Sequence, residues 1–244
     1  MLKDVVVNNK KKGEVGFRDT SAKALAKAYR KFQKIKNFGT EYCKNAMRCG
    51  KYGIPLLDPY YGALPTSYVS ISSPTCDDPA HACMTCFDYD YILERMWYEP
   101  DKYVDRLLRY QCFGTLDFSM KVDDPLGAQI GNKYRNHALS FYFQERGARH
   151  LPVIGWSSRP SFDFCFQGFS KGGAVMVSTL GVLRDERSQG YFKLGFCEML
   201  KQLNPDVVVI YGDGSRERFS WMPQELEIVF VTPLRLERAR TYGR

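Results

Sequence analysis

The chain predicts an α/β protein of alternating βα units, a TIM-barrel-like or incomplete barrel, with an open doubly wound sheet as the alternative. Three observations predict it. Short apolar runs recur along the second half and alternate with helix-like stretches. These runs end on polar groups: Asp88 and Asp90, Asp117 and Ser119, Trp156 and Ser157, Ser178 and Thr179, Tyr211 to Asp213. The run DVVVIYGD at 206–213 is almost continuously apolar, as expected of a parallel strand covered on both faces.

Taken in order, residues 1–18 read as a short strand or arm. Residues 20–38 read as a basic amphipathic helix, with Leu25, Ala28, Tyr29, Phe32 and Ile35 on one face and Lys23, Lys27, Arg30, Lys31 and Lys34 on the other. The Gly-, Pro- and Tyr-rich stretch 50–65 reads as an irregular entry segment. TSYVSISS alternates and reads as a strand, 74–86 as a loop, and FDYDYIL as a strand or a strand running into a helix. Residues 100–111 read as a helix with Pro100 at its start. GTLDFSM is then a strand, 129–147 a helix closed by Gly147, HLPVIGWS a strand and SFDFCFQGF a short helix. GGAVMVST is a strand, 191–204 a helix ended by Pro205, DVVVIYGD and ELEIVFVTP strands, and the rest a basic tail. The expected division is a basic arm and helix over 1–50 and one α/β domain over 51–244.

The formal net charge of +8 is unevenly spread. Residues 1–51 carry 14 lysines and arginines against 4 acids, a formal +10, while residues 52–100 carry one basic residue and 7 acidic ones. The basicity belongs to the N-terminal segment, which points to a polyanion contact there. Lys23/Lys27 and Lys27/Lys31 are like charges one turn apart, which disfavours an isolated helix; a phosphate backbone or an acidic protein surface offsets this, and a solvated face over a packed stripe is the plainer reading. With 44% hydrophobic residues the chain is globular, and no apolar run approaches the roughly 20 residues that span a bilayer. A cytoplasmic location is expected.

Read in order, GKYGIPLL, FDYDY, PDKYVDRLLRY, LDFS, RNHALSFYFQERGARHLPVIGWS, SFDFCFQGF, VMVSTLG and GFCEMLKQLNPDVVVIYG resemble a family of phages, plasmids and other mobile elements, the domain of unknown function numbered 4417. Its hallmarks map to Asp117–Ser119, Trp156 with Ser161 and Phe162, Ser178–Gly181, and Tyr211–Gly212. The resemblance covers about residues 50–213. It implies a mobile-element origin and no particular reaction.

Asp90, Asp117 and Asp213 fall at or near three strand ends, which in an α/β sheet or barrel open on one crevice. Period-2 alternation sets Asp117 on the opposite face from Leu116 and Phe118. Converging carboxylates there suit Mg²⁺-assisted phosphoryl chemistry or an acid/base pair, while a single Asp before a helix is more often a cap. Arg135, in KYRNH with Asn136 and His137, is a candidate anion clamp, or a salt-bridge partner of Asp123 or Asp124. His137 is a candidate base, or a satisfied histidine. Ser119, Trp156, Ser178 and Tyr211 are ligand-binding candidates by position.

Cys76, His81, Cys83 and Cys86 form one C-x2-C with two further donors, a Zn²⁺ candidate. Among the 8 cysteines, Cys43 and Cys49 are further donors, and Cys112, Cys165 and Cys197 read as small buried hydrophobes. No nucleophile elbow, G-x-G-x-x-G or Walker pattern occurs; Gly212–Gly214 with Arg216 and Arg218 reads as a turn before it reads as a phosphate cradle. The aromatics Tyr60, Tyr61, Tyr89, Tyr91, Trp97 and Tyr98 offer base stacking or ordinary packing. The leading functional expectation is nucleic-acid contact through the N-terminal segment beside a metal-assisted phosphodiester or nucleotide site. The alternatives are a non-catalytic adaptor or inhibitor docking a host protein, and a carbohydrate-active barrel with Trp156 stacked on a sugar.

Overall fold

A computed structural model describes residues 38–233. The arm expected at 1–18, nearly all of the basic helix expected at 20–38 and the basic tail lie outside the described residues. The entry segment is a small antiparallel hairpin of β1 (Arg48–Cys49) and β2 (Ile54–Pro55), turned by Gly50 and Gly53.

Seven parallel strands follow. β3 (Ser67–Ser70), β4 (Ala82–Thr85), β5 (Cys112–Gly114) and β6 (His150–Leu151) make one sheet in chain order. β7 (Ala174–Ser178), β8 (Val207–Tyr211) and β9 (Glu227–Val231) make a second, also in chain order. A parallel bridge between Val153 and Met176 joins the run beyond β6 to β7. Helices α1 (Asp90–Tyr98) and α2 (Asp101–Leu108) connect β4 to β5. Helix α3 (Leu126–Gln144) connects β5 to β6, and α4 (Glu186–Leu203) connects β7 to β8.

The alternation of side chains explains the layering. In β4 and β5, Met84 and Phe113 face a core built with α1, α2 and α3, while Cys83 and Cys112 face the other way. In β7 and β8, Val175, Val177, Val208 and Ile210 pack with Phe192, Phe196, Met199 and Leu203 of α4. Their alternates Ala174, Met176, Val209 and Tyr211 join Cys83, Cys112, Leu151 and Val153 in one cluster. The strands are thus covered on both faces, as the near-continuous apolar run of β8 predicts.

Several expectations are corrected. β3 and β9 are not paired, so no closed barrel forms among the described residues; the chain-order strands, without a reversal, are not a doubly wound sheet either. The stretch 74–86 is not all loop: its last residues are β4, buried throughout and so lacking the alternation that marks a strand. FDYDYIL alternates like a strand, but Asp90 opens α1, because Leu93, Met96 and Trp97 bury at helical spacing. SFDFCFQGF contributes a 3-10 turn, Arg159–Asp163, and no α-helix. Cys112 and Cys165 are buried as expected, but Cys197 is exposed on α4.

Candidate active site at the strand rim

Because all seven strands are parallel, their C-terminal ends share one rim. At β5 the chain leaves the ladder early. Beyond Thr115, whose N–H still donates to the Leu151 carbonyl (3.1 Å), the backbone bonds pass to side chains: Leu116 N–H donates to Ser140 Oγ (3.0 Å), and Asn136 both accepts from Phe118 N–H (2.6 Å) and donates to its carbonyl (3.2 Å). Asn132 donates to the Ser119 carbonyl (2.7 Å), and Asp90 Oδ1 accepts from Ser119 N–H (3.1 Å) and Oγ (3.0 Å). LDFS is therefore extended, but held by helix side chains in place of a neighbouring strand. Leu116 and Phe118 enter the helix-side core and Asp117 turns the other way, as period 2 predicts.

Asp117 turns into a cavity that it lines with Thr115, Met120, Lys133, Asn136, His137, Val153, Gly155 and Phe169. Three titratable groups share it. Lys133 is 3% exposed, its ammonium 3.8 Å from the centroid of the Phe169 ring. His137 is 1% exposed, and its Nδ1 donates to the Pro55 carbonyl (2.8 Å). A carbonyl only accepts, so the proton sits on Nδ1 and Nε2 carries a lone pair, which is buried without a partner. Asp117 is partly exposed along the cavity, and its carboxyl has no hydrogen-bond or ion-pair partner among the described residues. Two glycines make room. At Gly168 (φ 79°) a Cβ would lie 2.7 Å from His137 Nδ1 and 2.6 Å from the Pro55 carbonyl it binds; at Gly155 a Cβ would lie 3.3 Å from Asp117 Oδ1.

The surroundings shift all three. Burial, reinforced by the negative charge of Asp90, pushes the Asp117 carboxyl up to about 7, with Lys133 pulling the other way. Burial draws the Lys133 ammonium well below the usual lysine range, against the opposing pull of Cys165 and Asp117. Burial, then the nearby Lys133 charge, holds His137 well below the ordinary histidine range, so its ring is neutral at pH 7. A carboxyl that titrates near neutrality, an amine shifted toward its free base and a neutral imidazole in one cavity are the materials of proton transfer and nucleophilic chemistry.

The structure brings only part of the expected site together. Asp90 and Asp117 are neighbours, but Asp213 pairs with Arg218 (3.2 Å) and is not among the cavity-lining residues. Arg135 is not a free anion clamp: it pairs with Glu94 (2.7 Å) and lies over Phe118 and Trp97 at 3.8 and 4.8 Å from their ring centroids. Ser119 is bonded to Asp90. Trp156 donates to the Tyr191 carbonyl (3.1 Å) and packs where a Cβ at Gly195 would lie 2.1 Å from its Nε1, so the Nε1 edge of its half-buried ring is held against α4. Ser178 Oγ accepts from Leu180 N–H, a strand-end turn, and Tyr211 stacks on Phe87 at 4.8 Å. Arg216 binds the Pro223 and Leu226 carbonyls and pins the loop after β8 in place of cradling a phosphate.

The Cys/His loop does not assemble. Cys83 lies in β4 and Cys86 just beyond it, three apart on an extended run, so they point to opposite faces and join different cores. His81 is exposed and bonded to Asp78 (2.7 Å), and Cys76 lies near Ser67 (3.9 Å). Among the described residues no three of His, Cys, Asp and Glu come together as a metal site, at this loop or at the acidic rim. Lys23, Lys27, Arg30, Lys31 and Lys34 lie outside the described residues.

Sequence reasoning missed Lys133 and undervalued His137. The signal was present: Gln129, Lys133, Asn136, His137 and Ser140 recur at helical spacing, and all five are buried. A polar stripe on the buried face of a helix marks a helix that serves a site.

The parallel-stranded α/β frame and the rim cavity define a domain, and comparison with known proteins places it. The chain belongs to the family described as a domain of unknown function, DUF4417, which matches residues 46–229. It is similar to the Gene 1 protein of Mycobacterium phage D29, 30% identical over 156 residues (61% of this chain, 58% of that protein). It is also similar to the Gene 1 protein of Mycobacterium phage L5, 32% identical over 123 residues (50% of this chain, 54% of that protein). The chain thus spans little more than half the length of these phage relatives. No solved structure matches. Among the described residues no helix is long and apolar enough to cross a membrane.

Proposed function

We propose that this phage-associated domain is an enzyme whose reaction centre is the Asp117–Lys133–His137 cavity, set on the rim of an incomplete barrel. The observation that carries the reading is that Asp117, Lys133 and His137 line one cavity, where His137 Nε2 is buried without a partner and neither Asp117 nor Lys133 makes a hydrogen bond or ion pair among the described residues. Buried polar groups of a folded protein are ordinarily paired, so an orphaned imidazole nitrogen beside an unpaired lysine and carboxyl supports a ligand site. Chain-order parallel strands, the Val153–Met176 bridge and the shared cluster reaching from Cys83 to Tyr211 support the incomplete barrel. The chemistry is acid/base and nucleophilic, with Asp117 as the proton carrier. The residues that would have held Mg²⁺ or Zn²⁺ do not converge, so no metal is assigned to it.

A compound library screened by thermal shift against the full chain and Lys133→Met tests the site. Ligands of the cavity raise the midpoint of the native chain and not of the variant, by the equivalent of about 2.7 kcal/mol at a hundred-fold excess over Kd. A screen in which every stabilising compound acts equally on both proteins refutes it.

The N-terminal segment, with Lys23, Lys27, Arg30, Lys31 and Lys34, is proposed to hold nucleic acid. Binding to single- and double-stranded DNA and RNA across a salt series, alongside a chain lacking residues 1–38, reads this directly: affinity falls steeply with salt and vanishes on truncation. Absent or salt-independent affinity defeats this half of the proposal and makes an acidic host-protein surface the partner to seek.

A further inference from the structure

We propose that Lys133 is a carbonyl-capturing amine, and that the cavity takes a small aldehyde or ketone and joins it to Lys133 Nζ as an imine. This rests on the reading of the cavity as a reaction centre and names its substrate class. Two features of the geometry point to it. Lys133 is almost fully buried, yet among the described residues no carboxylate lies within ion-pair distance of its Nζ; a lysine kept for charge would have one. The Phe169 ring lies 3.8 Å from Nζ and its face would hold an ammonium as well, so it is burial without a counter-ion that favours the neutral, nucleophilic amine. Asp117, the acid needed to move protons, lines the same cavity without a partner.

The steps balance. The Nζ lone pair attacks the carbonyl carbon, a C–N bond forms, and Asp117 in its acid form protonates the oxygen. The resulting carboxylate takes a proton from the nitrogen, leaving a carbinolamine. Asp117 then protonates the hydroxyl, which departs as water while the C=N bond forms, and the carboxylate recovers the last proton from the nitrogen. One amine and one carbonyl give one imine and one water, with no other reactant.

The carbonyl has two sources that share this chemistry: a free small aldehyde or ketone, and the aldehydic sugar carbon of an abasic site in single-stranded nucleic acid. The cavity has room for about one water-sized molecule, which excludes a nucleotide and favours the smallest free carbonyls. The test incubates the full chain at pH 7 with propanal, or in a parallel arm with an abasic oligonucleotide. Sodium cyanoborohydride reduces any imine to a stable amine, and peptide mass spectrometry locates it. The expected result is propanal adduct on Lys133 at ten-fold or more the average occupancy of the other lysines, absent in Lys133→Arg. Asp117→Asn, close in shape and checked for folding by circular dichroism, slows capture at least ten-fold while leaving the surface lysines unchanged. Adduct on Lys133 only in the oligonucleotide arm assigns the substrate to nucleic acid. Adducts spread over surface lysines, with Lys133 unmodified in both arms, overturn the imine. If the thermal-shift ligands still depend on Lys133 in that case, the cavity remains a binding site and only its covalent chemistry is lost.

Discussion

Replacing Asp117 by Asn isolates the electrostatics of the cavity. In the folded chain the Asp117 carboxyl titrates near 7, against 3.8 for an ordinary aspartate. Between those values the unfolded chain has given up the proton and the native chain still holds it. Stability therefore falls as pH rises through the window, by about 1.4 kcal/mol per unit and about 4 kcal/mol in all at the limit of full burial. Partial exposure of Asp117 along the cavity, and the loss of its attraction to Lys133 on substitution, reduce this to about 2–4 kcal/mol. The buried histidines act in the opposite sense. His150, drawn down to about 4 by burial, and His137, also depressed, stay neutral while their unfolded counterparts take up protons below about 6.5, so they add stability as pH rises toward 6.5. The two sets oppose one another in the native chain. Asp117→Asn removes only the falling component. Urea unfolding from pH 4 to 8 should show the two proteins equal near pH 4 and the variant more stable by about 2–4 kcal/mol above pH 7. Stability curves that run parallel across the whole range would refute the placement of Asp117 in a low-dielectric cavity.

Three further outcomes follow from the same geometry. Asn136→Ala leaves the Phe118 N–H and carbonyl buried without partners and should cost about 2–4 kcal/mol in urea unfolding, where a surface Asn→Ala costs a few tenths. Gly168→Ala forces a left-handed φ on a residue with a Cβ and drives that Cβ into the Pro55 carbonyl and His137; a loss of about 1–3 kcal/mol is expected, and a neutral result would contradict the packing at His137. Asp90→Asn removes the negative charge that helps raise Asp117, so the Asp117 carboxyl, followed by carbon NMR, should titrate below 7; an unmoved midpoint would show that burial alone sets it.

The frame was legible because its signals are local. β7, β8 and β9 announce themselves as β-branched runs, and α3 and α4 as long helical periods with clear stops at Gly147 and Pro205. The short strands were not: β4 is four residues buried on both faces, behind a loop whose Cys and His drew the eye to metal chemistry. The Zn²⁺ candidate failed for a plain reason, that a C-x2-C presents both thiols to one ion on a turn and splits them on a strand. At the site, alternation placed Asp117 correctly. It could not place Asp90 beside it and Asp213 apart, because convergence of strand ends depends on which loop residues the connecting helices hold. Arg135 was misjudged because charge alone does not say which face of a helix a side chain takes; it covers Phe118 and pairs with Glu94. Lys133 was the costliest omission, since polar residues at buried helical spacing are visible in the sequence once the helix is.

On the proposed reading Lys133 is a neutral amine buried in one cavity with Asp117. Nitrogen NMR of the full chain labelled at lysine Nζ, with Lys133 assigned by its absence in Lys133→Met, measures this directly. One lysine should titrate well below the ordinary 10.5, and its midpoint should fall further in Asp117→Asn, where the attracting carboxylate is gone. A Lys133 signal that titrates with the surface lysines near 10.5, unmoved by Asp117→Asn, would contradict the account.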